Sequence, residues 1–271
     1  MLLNDCHISF CNLSHRKDRL THMENELKRV GIAATRFESL RPADVIDKIE
    51  PARRLQVMQK RTPGAIGCHF SQVGIMKEAL EGKMHAWVME DDLKFCHDIH
   101  ERLAHIETWM ETHDWDVIWM GGTFHVNPPH WHKGRPLMRD AEITDDPRMV
   151  RTYGCFCTYS YIVNAKSIQR VLDGLDHWLD RSMGIDWAMI QMQPDLKTFS
   201  YVPGCCKQID NQSDIGTGIT RFSGFKKLGP HWWQGHAGEF NPETYNWHEC
   251  DPSKTPGSVP HEIINKKSRQ A

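Results

Sequence analysis

No stretch of about 18 apolar residues occurs in this sequence, so no segment is predicted to span a membrane. The opening residues Met1-Leu2-Leu3-Asn4-Asp5-Cys6-His7 lack a basic flank and an apolar stretch of signal length, and a cytoplasmic location is expected. An excess of one charge is also missing. The 33 Lys and Arg stand against 35 Asp and Glu, a net charge of −2, with a pI near 6.8. That balance argues against binding a polyanion along the whole chain and leaves room only for a local basic patch. The nine cysteines have no bridging framework, because Cys155-Phe156-Cys157 and Cys205-Cys206 are too close for ordinary pairing within each group. Reduced, mostly buried thiols are expected. The 17 histidines are scattered, with no HxxxH pair carrying a glutamate on a helix, and His130-Trp131-His132 reads as an exposed loop rather than a metal site. No internal repeat is visible.

What is present is a globular composition, 39% hydrophobic and 25% charged over 271 residues, enough for one large α/β domain with or without an appendage. Ile8-Ser9-Phe10-Cys11-Asn12-Leu13 reads as an opening strand. Leu20, Met23, Leu27 and Val30 then fall on one helical face that Gly31 terminates. Residues 40–63 are charged and irregular, a predicted surface excursion. A helix is predicted over 64–80, with Ile66, Phe70, Val73, Met76 and Leu80 inward. Ala86-Trp87-Val88-Met89 is a strand that stops at Glu90-Asp91-Asp92. Further elements are a helix near 98–111, a strand at 116–120, a long loop over 125–150, a strand at 158–163 and a helix over 165–179. Strands alternating with helices predict a mainly parallel sheet covered on both faces. Periodicity fades beyond about residue 216, and the chain divides into a domain over 1–215 and an irregular extension over 216–271.

Ligands of open α/β sheets bind beyond the carboxyl ends of strands. Three polar clusters fall at such ends: the 12–19 loop, the acidic triplet, and the Gly121-Gly122-Thr123 turn. Adjacent carboxylates repel one another and lose hydration, so a hard divalent cation bridging to a diphosphate would account for Glu90, Asp91 and Asp92. A solvated cap on a following helix would account for them as well. Arg16, Lys17 and Arg19 at a helix start offer the complementary charge, for phosphate or simply for solvent. Near the C-terminal end Arg221, Phe222, Phe225, Lys226, Lys227, Trp232 and Trp233 interleave basic and aromatic side chains. Such a stretch suits a stacked sugar, a nucleic acid, or tryptophans buried on the domain surface.

Asn12-Leu13-x-x-Arg16-x-Asp18-Arg19 resembles the first motif of glycosyltransferase family 25, the lipooligosaccharide and collagen galactosyltransferase group. Gly64-Ala65-Ile66-Gly67-Cys68-His69-Phe70-Ser71 resembles the second motif and Trp87-Val88-Met89-Glu90-Asp91-Asp92 the third. Residues 115–121, 161–164 and Ser213-Asp214-Ile215 are similar to later segments, in order. Gln72 stands where the family usually carries histidine. The resemblance implies a GT-A-like (Rossmann-like) fold, a nucleotide-sugar donor with UDP favoured, a glycan acceptor, Mn²⁺ or Mg²⁺, and inversion at the anomeric carbon. It implies donor binding by Asn12, Arg16, Asp18, Arg19, Ser71, Glu90 and Asp91, with Asp92 as metal ligand. Inversion needs a base for the acceptor hydroxyl. Asp186 is the candidate, beside Trp187 as a stacking surface, although it would equally cap a helix over 187–192. Asp214 is a second candidate, as base or metal ligand, and Trp187, Trp232 and Trp233 are candidates for the acceptor. Two rival readings stay open: an acceptor that is a modified nucleic-acid base or a protein hydroxyl, and a non-catalytic nucleotide-sugar-binding protein of the same fold.

Overall fold

The computed structural model describes the backbone of residues 2–125, 131–132, 135–136, 142–146, 148–202, 204–209, 211–213, 218–220 and 232–234. The chain opens with β1 (Cys6–Asn12) and α1 (Lys17–Val30). Met23, Leu27 and Val30 are buried along one face of α1, as the spacing predicts, and Gly31 closes it with φ 64, its N–H directed at the carbonyls of Leu27 and Lys28. That left-handed stop is the role for which glycine has no steric penalty. After β2 (Thr35–Glu38) the structure departs from expectation. The 40–63 stretch is not irregular: it contains a turn of helix at Pro42–Val45 and α2 (Pro51–Lys60). Both begin with proline, whose missing N–H would have no helical partner in any case. The buried apolar residues there are Val45, Ile49 and Val57, packed with Ile66 and Leu179. A stripe that thin is hidden in sequence by the surrounding Arg, Lys and Asp.

Thr62 caps α3 (Pro63–Gly82), accepting from the Ala65 N–H. There follow β3 (His85–Glu90), β4 (Leu93–Phe95), α4 (Ile99–Thr112) and β5 (Val117–Trp119). Next come β6 (Glu142–Ile143), β7 (Met149–Arg151), β8 (Ser160–Val163), α5 (Ile168–His177), α6 (Ile185–Met192), β9 (Thr198–Tyr201) and β10 (Cys206–Gln208). β6 and β7 lie where a long loop is predicted. β9, Thr-Phe-Ser-Tyr, carries no aliphatic residue to mark it, and its polar pair is buried.

Eight strands form one sheet in the order β2-β1-β3-β8-β5-β9-β7-β6. Six share a direction, while β8 and β7 run against them. β4 and β10 make a separate antiparallel ribbon. Alternation along β3 divides the core. Trp87 and Met89 face Met23, Leu27 and the α4 residues Ile106 and Trp109. Ala86 and Val88 face Ile75 and Met76 of α3, Val171 and Leu175 of α5, and Met189 of α6. The result is an α/β fold with a mainly parallel sheet covered on both faces. No described helix is long and apolar enough to cross a membrane.

One contact fixes the approach of α3 to the segment after β2. A methyl group added at Gly67 would collide with the Leu40 carbonyl oxygen, a backbone atom with little freedom to yield. Gly67→Ala is expected to lower stability by about 1–3 kcal/mol, read from the urea midpoint. An unchanged midpoint would show that the 39–42 segment moves freely.

Candidate active site

β1 and β3 are parallel neighbours with Cys11 opposite Glu90, so both strands end at one level. The next residues on each side meet: Asn12 Nδ2 donates to Asp91 Oδ2 at 2.6 Å. Arg19, in the first turn of α1, crosses the same gap and contacts both aspartates, Nη1 to Asp91 Oδ1 at 2.8 Å and Nη2 to Asp92 Oδ2 at 3.2 Å. The two aspartates are 5% and 2% exposed. A guanidinium within hydrogen-bond distance is what makes two adjacent buried carboxylates tolerable. The reading of the triplet as a helix cap does not hold, because Asp92 leads into β4, and α4 starts only after Asp98.

Glu90 is held differently. Its Oε1 accepts from Gln72 Nε2 at 3.3 Å and its Oε2 from Gln208 Nε2 at 2.8 Å. Gln72 is fully buried and fixed in orientation, since the Tyr161 hydroxyl donates to its Oε1 at 2.8 Å and its Nε2 also reaches the Thr158 carbonyl at 3.3 Å. Burial pushes the Glu90 carboxyl well above the usual range, and Asp92, Asp186 and Asp91 push it the same way against the opposing effect of Arg19. Asp186 occupies the first turn of α6, where Gly184 is the cap, so the aspartate is not the cap itself. The Thr158 N–H donates to its Oδ1 at 3.0 Å and the Thr158 hydroxyl donates to the same oxygen. Burial raises the Asp186 carboxyl and these two bonds counter part of the rise.

A cavity of about 330 Å³ opens beside these groups, lined by Arg19, Glu90, Asp91, Asp92 and Gln208 together with Cys11, His15, Cys68 and the 39–42 and 63–67 segments. That volume suits a small-molecule site. Its apolar walls and single acidic cluster suit a ligand with one charged region. For a metal, the donor set is oxygen-rich: Glu90 Oε2 and Asp92 Oδ1 converge on the Gln208 amide, the second at 3.3 Å. Among the described residues no three His, Cys, Asp or Glu side chains are arranged to hold an ion unaided. Mg²⁺-like ions typically take one or two protein carboxylates and complete their shell with phosphate and water, so the set fits an ion shared with a substrate.

The sequence-predicted residues thus divide. Asn12, Arg19, Glu90, Asp91 and Asp92 come together, and Asp186 joins them through Thr158. Arg16 and Asp18 pair with each other instead, Nη2 to Oδ2 at 2.8 Å, and lie outside the cavity lining. That pairing holds the exposed Asp18 carboxyl far below its usual range. The Ser71 hydroxyl is satisfied within the protein, donating to the Gly67 carbonyl at 2.7 Å and accepting from the Leu40 N–H at 2.9 Å. Trp187 is half-buried and packs edge-on against Phe156 at 5.2 Å. The backbone of Trp232–Gln234 pairs with Thr123–His125, while the side chains of Trp232 and Trp233 lie outside the described residues, as does Asp214. At the Gly121-Gly122 turn a side chain on Gly121 would strike the Cys206 carbonyl and Tyr159. The turn's bareness lets the chain leading to Gln208 pass. Sequence reasoning missed Gln208, Thr158 and Tyr161. No local pattern marks them, since they act on partners 86 to 118 residues away or on α6.

The sequence profile of glycosyltransferase family 25 (LPS biosynthesis protein) matches residues 6–189, more than half of the chain. No curated protein matches it. Two solved structures are similar at a distance. Mannose-1-phosphate geranyltransferase from Thermus thermophilus is 12% identical with a TM-score of 0.36, each chain covered over 73%. A protein described as a glucose-1-phosphate thymidylyltransferase from Bacillus anthracis, in complex with sucrose, is 10% identical with a TM-score of 0.32, with 74% of this chain and 70% of that one covered. At these scores neither bears on function.

Removing the guanidinium tests the charge balance. Arg19→Met leaves two buried aspartates beside Glu90 without their cation and is expected to cost about 3–5 kcal/mol. The double substitution Arg19→Met with Asp91→Asn should recover part of that loss in thermal denaturation. A double variant no more stable than the single one would refute the pairing as the reason for Arg19.

Proposed function

The chain belongs to glycosyltransferase family 25, and from that premise we propose that it moves a hexose or similar sugar from a nucleotide donor, a UDP-sugar in preference, to a glycan acceptor with inversion. The family makes it a glycosyltransferase, which sets aside the non-catalytic reading. The observation that carries the finer proposal is the placement of three carboxylates and Arg19 on one cavity at the shared end of β1 and β3. We assign residues 1–215 to a GT-A-like catalytic domain in the cytoplasm and 216–271 to an extension that helps hold the acceptor, with Trp232 and Trp233 in it.

In this reading Asn12 and Arg19 fix the aspartates, Asp91 and Glu90 face the donor's ribose or sugar, and Asp92 is the principal ligand of a divalent ion, Mn²⁺ or Mg²⁺. When bound, such an ion neutralises charge on the departing diphosphate. Asp186 is the base. Its Oδ1 is engaged by Thr158, and its Oδ2 accepts no hydrogen bond among the described residues. The acceptor hydroxyl passes its proton to Oδ2 while its oxygen bonds to the anomeric carbon and the bond from that carbon to the diphosphate breaks. Burial, by raising the affinity of this carboxylate for a proton, makes it a stronger base than an exposed aspartate. Trp187 offers the adjacent aromatic face. Arg16, Asp18 and Ser71 support the site from outside the cavity, and Asp214 is kept as the reserve base or ligand.

Two substitutions separate these roles. Asp92→Ala, assayed for sugar transfer or donor hydrolysis with Mn²⁺ present, should lose at least about 100-fold in turnover, equivalent to about 2.7 kcal/mol. Full activity in that variant removes the metal assignment. Asp186→Asn should reduce kcat by about 10²–10⁴ with donor KM little changed. A kcat within a factor of two of the parent would move the base elsewhere.

A further inference from the structure

The Gln208 amide occupies an unusual position. Its Nε2 sits between two carboxylates of the acidic triplet, 2.8 Å from Glu90 Oε2 and 3.3 Å from Asp92 Oδ1, with the cavity alongside. A neutral N–H donor placed between two carboxylate oxygens partly stands in for a cation. The amide cannot keep that orientation once a cation is near, because its hydrogens carry partial positive charge.

Two features decide what it does instead. Its backbone is pinned: Gln208 pairs with Leu93 in the β4–β10 ribbon, and the following residue, Ile209, donates its N–H to the Asp92 carbonyl at 2.8 Å. The side chain therefore cannot leave the neighbourhood of Asp92 without breaking the ribbon. Its Oε1, meanwhile, accepts no hydrogen bond among the described residues. Rotation about the terminal torsion, which is broad and nearly two-fold in glutamine, exchanges nitrogen for oxygen at little cost. An amide oxygen is a hard neutral donor of the kind that Mg²⁺-like and Ca²⁺-like ions accept beside carboxylates.

We propose that Gln208 is a two-position member of the ion site, closing the gap between Glu90 and Asp92 with its nitrogen in the free protein and turning its Oε1 to the ion as a ligand when the site is loaded. The proposal rests on the reading of Asp92 as a metal ligand. It gives the ion one neutral protein oxygen beside the carboxylate of Asp92, leaving the rest of its shell to phosphate and water.

The test is equilibrium binding of Mn²⁺ to the full chain, alone and with UDP, followed by the loss of the free-ion electron paramagnetic resonance signal. The parent should bind Mn²⁺, Gln208→Ala should bind it about 10-fold or more weakly, and Gln208→Glu, which keeps an oxygen in place, should bind at least as tightly as the parent. Gln208→Glu should also show a larger Mn²⁺-dependent rise in Tm than the parent, because the ion then relieves the repulsion of an added carboxylate. Equal or tighter binding in Gln208→Ala would mean the amide is only a plug, and overturns the proposal while leaving Asp92 as a ligand. If Gln208→Ala does not fold, weaker binding in Gln208→Glu than in the parent overturns it instead. No Mn²⁺ binding by the parent, with or without UDP, overturns the metal reading and this proposal together.

Discussion

Asp91 and Asp92 lie almost wholly out of water and share one guanidinium, that of Arg19. Burying each ion costs several kcal/mol, and the attraction repays it only where geometry is good and the remaining lone pairs are met. Every neighbouring element is placed to meet that condition. β1 and β3 must pair in the register that sets Cys11 against Glu90, since a slip by one residue would turn Asn12 to the wrong face and break its bond to Asp91. α1 must start within one turn of the strand end for Arg19 to reach. Arg36, from β2, donates to Asn12 Oδ1 at 3.0 Å and so holds the asparagine that holds the aspartate. The first three strands and the first long helix are thus bound to one electrostatic problem.

How far this was legible depended on the distance over which each residue acts. The β1–α1 unit could be read because its signals are local: an apolar strand, a 3.6-residue stripe and Gly31. The convergence of Arg19 with the acidic triplet was legible as complementary charge at two strand ends, even though 72 residues separate Arg19 from Asp91. α2 was not, because its one buried residue, Val57, stands among charges and gives no period, and its stability comes from docking with Val45 and Ile49 on Ile66 and Leu179. β9 was hidden for a similar reason: Thr198 and Ser200 are polar, yet wholly buried in the sheet. In the site, Arg16 and Asp18 pair with each other two residues apart, a contact that sequence alone does not distinguish from ligand binding. Gln72 was visible only as a departure from the family's histidine. Its anchor, the Tyr161 hydroxyl, is 89 residues away and depends on a strand reversal that sequence does not announce.

That reversal has chemical consequences. Were β8 parallel to β3, its carboxyl end would meet that of β3, and Thr158 would lie at the opposite end of the strands. Because β8 is antiparallel to both β3 and β5, its entering end, with the Thr158–Tyr161 stretch, arrives beside Glu90. The Glu90 N–H donates to the Tyr159 carbonyl there at 2.8 Å. Thr158 then bonds to Asp186 on α6 and, through its carbonyl and the Gln72 amide, is linked to Glu90, so two carboxyl groups from distant parts of the chain are joined by one hydrogen-bonded path. Both are raised by burial, but their surroundings differ in kind. Glu90 sits amid three other carboxylates, whose charge favours its protonated form. Asp186 receives a backbone N–H and a hydroxyl on one oxygen, both favouring the charged form. Strand direction sets this difference, because Thr158, which supplies both bonds to Asp186, arrives at the entering end of the reversed strand.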